Sequence, residues 1–217
     1  TMFIISTPDD AGPRIKLRGK TGRGGSEVVI YSHDHTGLFA ITTAMLDRLR
    51  LNVVDARIET TSNDYSLDSY RVLEDDGSAV TDEEREQKII TALRNGLNNP
   101  YQVSLNVTRR IPRQMKHFKI PTEIEFSQDQ PNQRTILKLI TADQPGLLAQ
   151  VGHAFSLCKV NLKAAKIATI GAEAEDTFFI TGEDSRPIED PAQLQCLRES
   201  IIRQLESDDL EPDRVSI

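Results

Sequence analysis

An internal duplication constrains this chain more than any other feature, because whatever it folds into must be built twice from one unit. Displacing the sequence by 109 residues lays Asp34, Gly37, Leu38 and Ala40 on Asp143, Gly146, Leu147 and Ala149. The same displacement, without a gap, lays Asn52, Ala56, Ile58 and Thr60 on Asn161, Ala165, Ile167 and Thr169. Shortened by one residue, it matches Asp68 with Asp176 and Tyr70 with Phe178. The 217 residues leave room for two small domains of roughly 80 to 100 residues each.

Both copies follow one order of elements. Val28 to Tyr31 and Arg134 to Ile140 are apolar, β-branched runs that predict strands. A glycine-bearing turn follows each, then an amphipathic helix. Leu38, Ile41, Met45 and Leu49 recur at helical spacing in one copy; Leu147, Val151, Phe155 and Cys158 do so in the other. Asn52 and Asn161 open second strands that run to about Thr60 and Thr169. Turns at Ser62-Asn63-Asp64 and at Gly171 lead into third strands, Ser66 to Leu73 and Thr177 to Thr181. A second helix starts in the first copy at Thr81-x-x-Glu84, a capping-box pattern, and carries Ile89, Leu93 and Leu97. Its counterpart is entered at Pro191 and carries Leu194, Leu197, Ile201 and Leu205.

Gln102 to Thr108 reads as a fourth strand of the first copy. The second copy has no such strand after its last helix, but Thr122 to Phe126 precedes Arg134 and predicts a hairpin strand in its place. The expected fold class is therefore α+β: two ferredoxin-like βαββαβ modules, each an antiparallel sheet with helices on one face. The expected organisation is a flexible segment 1–25, a first module 26–108, a basic linker 109–121, a second module 122–207 and a polar tail 208–217.

A net charge of −7 argues against a generic binder of nucleic acid or anionic membrane. No run approaches the ~20 apolar residues of a membrane span, and no secretory signal opens the sequence. The start at Thr1-Met2 leads us to expect a piece of a longer protein. Cys158 and Cys196 have no metal-ligand or redox spacing, which suits free thiols in a reducing cytoplasm, with a disulfide left open. Arg14, Lys16, Arg18, Lys20 and Arg23 form one basic segment; Arg109, Arg110, Arg113, Lys116 and Lys119 form another. These segments read as solvated linkers or as docking strips for an acidic partner.

The repeated Asp-x-x-Gly carries the chemistry. In Asp34-His35-Thr36-Gly37 and Asp143-Gln144-Pro145-Gly146 the glycine allows close backbone approach, and the helix start offers unpaired N–H donors to an anion such as an amino-acid carboxylate. Asp34 and Asp143 have two readings, as acceptors for a ligand's ammonium group or as helix caps. Asn52 and Asn161 supply a donor and an acceptor at strand starts, where asparagine is otherwise unfavourable. Nothing here reads as a catalytic set. Gly24-Gly25-Ser26 lacks the Asp-x-Asp metal pair of a nucleotidyltransferase, and His33-Asp34 and His33-x-His35 lack further ligands. A small phosphatase of the same fold would need an arginine-bearing phosphate loop where Asp-x-x-Gly stands.

Strand, Asp-x-x-Gly-Leu, helix and an Asn-opened strand together resemble the ACT domain, a regulatory module that often binds amino acids. Further runs extend the likeness. In the first copy they are Gly24-Gly25-Ser26-Glu27-Val28, Leu46-Asp47-Arg48, Val54-Asp55-Ala56-Arg57-Ile58 and Val72-Leu73-Glu74-x-x-Gly77. Later ones are Pro112 to Phe118, Asp143 to Ala149, Lys166 to Gly171 and Glu175 to Phe179. This series, over Gly24 to Leu205, resembles the C-terminal tandem ACT region of the bifunctional enzymes that uridylylate and deuridylylate PII signalling proteins.

The resemblance implies a cytoplasmic sensor of L-glutamine, itself not catalytic. It implies an effector site at Asp34, Thr36, Gly37, Leu38, Asn52 and Val53 in one copy, and at Asp143, Gln144, Pro145, Gly146, Leu147, Asn161 and Leu162 in the other, with the ligands expected at the two turns and where the two modules meet. The implied partners are PII and the enzyme's own catalytic domains, with a dimer through the ACT modules and no nucleic acid or membrane. No cofactor is expected for these residues; Mg2+ is implied for the catalytic domains. The competing reading is an interaction module that docks PII or those domains and binds no small molecule. His35-Thr36 stands where the second copy has Gln144-Pro145, so the two sites need not match in affinity.

Overall fold

Alternation along the strands puts every second side chain into one core: Ser66, Asp68, Tyr70 and Val72 are buried while their neighbours are only partly covered. The computed structural model of the chain describes residues 12–19, 21–22, 24–60, 65–105 and 120–206. The first module comprises β1 (Arg14–Arg18), β2 (Ser26–His33), α1 (Leu38–Arg48), β3 (Leu51–Thr60), β4 (Tyr65–Glu74) and α2 (Glu83–Asn98). The second comprises β5 (Glu123–Asp129), β6 (Arg134–Ala142), α3 (Leu147–Leu157), β7 (Val160–Lys166), the short β8 (Thr169–Ile170), β9 (Glu173–Gly182) and α4 (Pro191–Glu206). The α+β class and the duplicated module are as the repeat requires.

All strand pairings are antiparallel, in the order β1-β2-β4-β3-β7-β9-β6-β5, with β8 beside β9. The modules thus share one continuous sheet. At the seam Ala56 faces Ala165, flanked by Asp55 opposite Lys166 and Arg57 opposite Ala164. Ala56 and Ala165 are repeat equivalents, so a local twofold axis passes between them. Over the same axis α1 packs on α3. Gly152 makes that approach possible, since a Cβ there would lie 2.8 Å from Phe39 Cδ1 and 3.0 Å from Ala40. Phe39 stacks between Tyr70 and Phe155, at 6.3 and 6.5 Å between ring centroids, so one core runs through both modules.

The hairpin strand expected in the second module is β5, paired along its length with β6. The first module uses the same device, which corrects two expectations. Residues 14–18, placed in a flexible 1–25 segment, pair as β1 with β2. Gln102, placed in a fourth strand, ends a 3₁₀ turn at Pro100–Gln102, and Val103 to Leu105 are not strand; 106–108 lie outside the described residues. Basic residues explain the misreading. In β1 they alternate with Ile15 and Leu17, as suits a sheet edge with only Leu17 buried.

Three smaller corrections concern caps, turns and cysteines. Asp82, not Thr81, caps α2, its Oδ1 accepting from the Arg85 N–H at 2.7 Å. The second strand of the second copy ends at Lys166, and Thr169 belongs to β8. Cys158 and Cys196, expected as free thiols, are joined as a disulfide linking the end of α3 to α4. The Ser62-Asn63-Asp64 turn, Lys20, Arg23, linker residues 109–119 and tail 208–217 lie outside the described residues.

Candidate functional site

The twofold arrangement carries each Asp-x-x-Gly turn to the asparagine strand of the other module. One cleft, of about 810 Å³, is lined by the Asp143–Leu147 turn together with Asn52 and Val53 of β3. The other, of about 320 Å³, is lined by the Asp34–Leu38 turn with Asn161 and Leu162 of β7. Every residue expected at a site lines one of these clefts. Their grouping is corrected: Asp34 and Gly37 meet Asn161, not Asn52, and Asp143 and Gly146 meet Asn52, not Asn161. The antiparallel β3–β7 seam causes the exchange, because it sets β3 against its equivalent, β7, in the neighbouring module.

At each turn the glycine is the helix N-cap, with φ of 87° at Gly37 and 79° at Gly146, a conformation costly for any other residue. A glycine has no side chain to cap with, and the first N–H of each helix is met by its own turn: Leu38 donates to the His35 carbonyl at 3.1 Å and Leu147 to the Gln144 carbonyl at 3.2 Å. Asp34, three residues upstream, accepts at Oδ2 from Thr60 Oγ1 at 3.1 Å. The helix-cap reading of Asp34 and Asp143 is thereby replaced: the N-cap position belongs to glycine.

Sequence reasoning missed four equivalent pairs that complete the clefts. Buried Asp176 lines the larger cleft and buried Asp68 the smaller. Burial pushes the Asp68 carboxyl up to about 6, with hydrogen bonds from Ser66 and Tyr70 opposing and Asp34 adding repulsion. Burial pushes Asp176 up to about 7, against a backbone bond from Ala168 and reinforced by Asp143. Each cleft thus sets a buried carboxyl, held toward its neutral form by desolvation, beside the aspartate of its turn. Arg50 and Lys159, both with positive φ (57° and 56°), line the larger and smaller cleft respectively. Each pairs with an acid at its rim: Arg50 with Asp75 at 3.6 Å and Lys159 with Glu183 at 3.9 Å. The last pair is Asp47 and Ser156, at the ends of α1 and α3. The signal for Asp68 and Asp176 was present: matched aspartates at core-facing positions of matched strands.

Turn amides, a cation, an asparagine amide and paired carboxyls in one cleft complement a zwitterion: an anion near the helix start and an ammonium near the carboxyls. His33 and His35 do not converge. His33 stacks on Tyr65 at 4.1 Å, and the His35 ring lies 3.2 Å from the Thr36 carbonyl oxygen. Among the described residues no group of three or more His, Cys, Asp or Glu is placed to hold a metal ion, and no helix is long and apolar enough to cross a membrane.

No protein-family model matches the chain. Aspartate kinase from Synechocystis aligns over 87% of this chain and 28% of its own, at TM-score 0.42 and 15% identity, a level that adds no argument. Sequence similarity is much stronger. The bifunctional uridylyltransferase/uridylyl-removing enzyme of Pseudomonas putida (strain W619) is 39% identical over 220 residues, 98% of this chain and 24% of that protein. The protein of the same description from Stutzerimonas stutzeri (strain A1501) is 40% identical over 212 residues, 96% of this chain and 24% of its own. Along nearly its whole length the chain belongs with the bifunctional uridylyltransferase/uridylyl-removing enzymes, of which it spans about a quarter.

Proposed function

We propose that this region is the regulatory sensor of such an enzyme and that its effector is a free amino acid, L-glutamine. The observation that carries the reading is the composite cleft, in which turn amides and paired carboxyls from one module meet an asparagine from the other. The effector's carboxylate would sit at the Gly146 turn and its ammonium between Asp143 and Asp176. Asn52 and Arg50 would meet the remaining polar atoms. A ligand spanning both modules favours one arrangement of them, and by linkage one state of the catalytic domains to which they are joined. In the whole protein, glutamine would restrain uridylylation of PII and promote its reversal, with Mg2+ serving the catalytic domains and the region itself contributing no catalytic group. A cytoplasmic location and a dimer through the ACT modules belong to the same reading.

Calorimetric titration of the chain with L-glutamine, against D-glutamine and L-glutamate, tests it. Saturable, stereoselective heat is expected. A folded chain that takes up none of the three contradicts it.

A further inference from the structure

The two clefts differ at one backbone amide. In the larger, the Gly146 N–H donates to the Asp47 carboxylate, which reaches it from the last turn of α1 in the other module. An acid there is unfavourable for its own helix, whose C-terminal end is negative, and favourable for the N-terminal end of α3. In the smaller cleft Ser156 holds the equivalent place, and its hydroxyl is spent on its own helix, donating to the Gly152 carbonyl at 3.1 Å. Other polar groups follow the same division. Asp176 Oδ2 is buried without a partner among the described residues, while Asp68 accepts from Ser66 and, at 3.2 Å, from Tyr70. Asn161 donates to the Gly182 carbonyl at 3.2 Å, whereas the Asn52 side chain makes no hydrogen bond among the described residues.

We propose that the larger cleft is the effector site and that Asp47 is its built-in competitor, a carboxylate that occupies the Gly146 amide until a ligand's carboxylate displaces it. The inference rests on the amino-acid reading of that cleft and adds its regulation. Displacement exchanges a bond between modules for a bond to the ligand. Occupancy is thereby converted into a change in how α1 of one module is tied to α3 of the other. The smaller cleft has no such bond to exchange and is silent at effector concentrations that fill the larger.

The test compares the parent chain with Asp47→Ser, which installs the residue the fold already accepts at the equivalent position, and with Ser156→Asp. The Gly146 and Gly37 amide resonances are followed during titration with L-glutamine and, separately, with sodium acetate as a bare carboxylate. Losing a charge-assisted competitor should tighten glutamine binding about tenfold and open the Gly146 amide to acetate. Ser156→Asp should shift the Gly37 amide in the absence of ligand. Glutamine binding equally well or less well to Asp47→Ser overturns the competitor and leaves the amino-acid reading standing. Acetate reaching Gly146 only in Asp47→Ser, with glutamine binding to neither chain, keeps the competitor and overturns the amino-acid reading. No response of Gly146 to either ligand in a folded Asp47→Ser chain overturns both.

Discussion

The Gly146 and Gly37 clefts are copies by descent and unlike by chemistry. Both have the αL glycine, the upstream aspartate, the rim ion pair and the buried second carboxyl, all placed by the same strand–turn–helix path. What separates them is the supporting residues. Asp68 rests on Ser66 and Tyr70, and the repeat equivalents of those two are Ala174 and Phe178. The buried carboxyl without these supports lies in the cleft of about 810 Å³, and the one that has them lies in the cleft of about 320 Å³. Two copies of one scaffold can therefore share their site geometry and differ in internal hydrogen bonds, which in one copy leaves a buried oxygen, Asp176 Oδ2, without a partner among the described residues.

The comparison can be broken most severely at Asp176. Its folded pKa, about 7, lies above the ordinary 3.8, so the folded chain holds the proton more tightly than the unfolded one. That contribution to stability is complete below about pH 4 and is lost as pH rises through 7, leaving a buried charge that costs roughly 4 kcal/mol. Asp176→Asn should stabilise the ligand-free chain at pH 8 by up to that amount, with the advantage shrinking as pH falls and gone by about pH 4, as read from denaturant unfolding. Asp68→Asn should gain less, because ionised Asp68 keeps two donors.

Next in size is the seam. Gly152→Leu drives a side chain into Phe39 and Ala40, and overpacking of this kind costs about 1–3 kcal/mol. Thermal unfolding should begin earlier, and both clefts should be lost together because both depend on the α1–α3 approach.

Asp143→Ala should weaken glutamine binding about tenfold or more, while Asp34→Ala at the silent cleft changes it little. Equal effects of the two in calorimetry would erase the distinction between the clefts. The finest change copies one cleft's supports into the other. Ala174→Ser with Phe178→Tyr should lower the Asp176 pKa from about 7 toward the value near 6 of Asp68, measurable by carboxyl NMR titration.

The duplication made the modules legible, because a displaced match between two stretches is independent of either one's local propensity. The β5 hairpin was legible for a similar reason: one copy lacked a strand that its sheet needed. β1 was not, since Lys16 and its arginine neighbours read as solvated linker until an edge strand gives them a place. The partners of Asn52 and Asn161 were hidden for another cause. A repeat identifies equivalent residues, but which equivalents meet is decided by the β3–β7 seam, a tertiary contact that leaves no periodicity. The Cys158–Cys196 link was likewise invisible across a separation of 38 residues with no motif.

A site shared between modules is open to amide chemical-shift mapping of the chain with L-glutamine. Shifts at the Asp143–Leu147 turn and simultaneously at Asn52 and Val53, saturating at one ligand per chain, are the predicted result. Shifts confined to one module, joining the Asp143–Leu147 turn to Asn161, would contradict it.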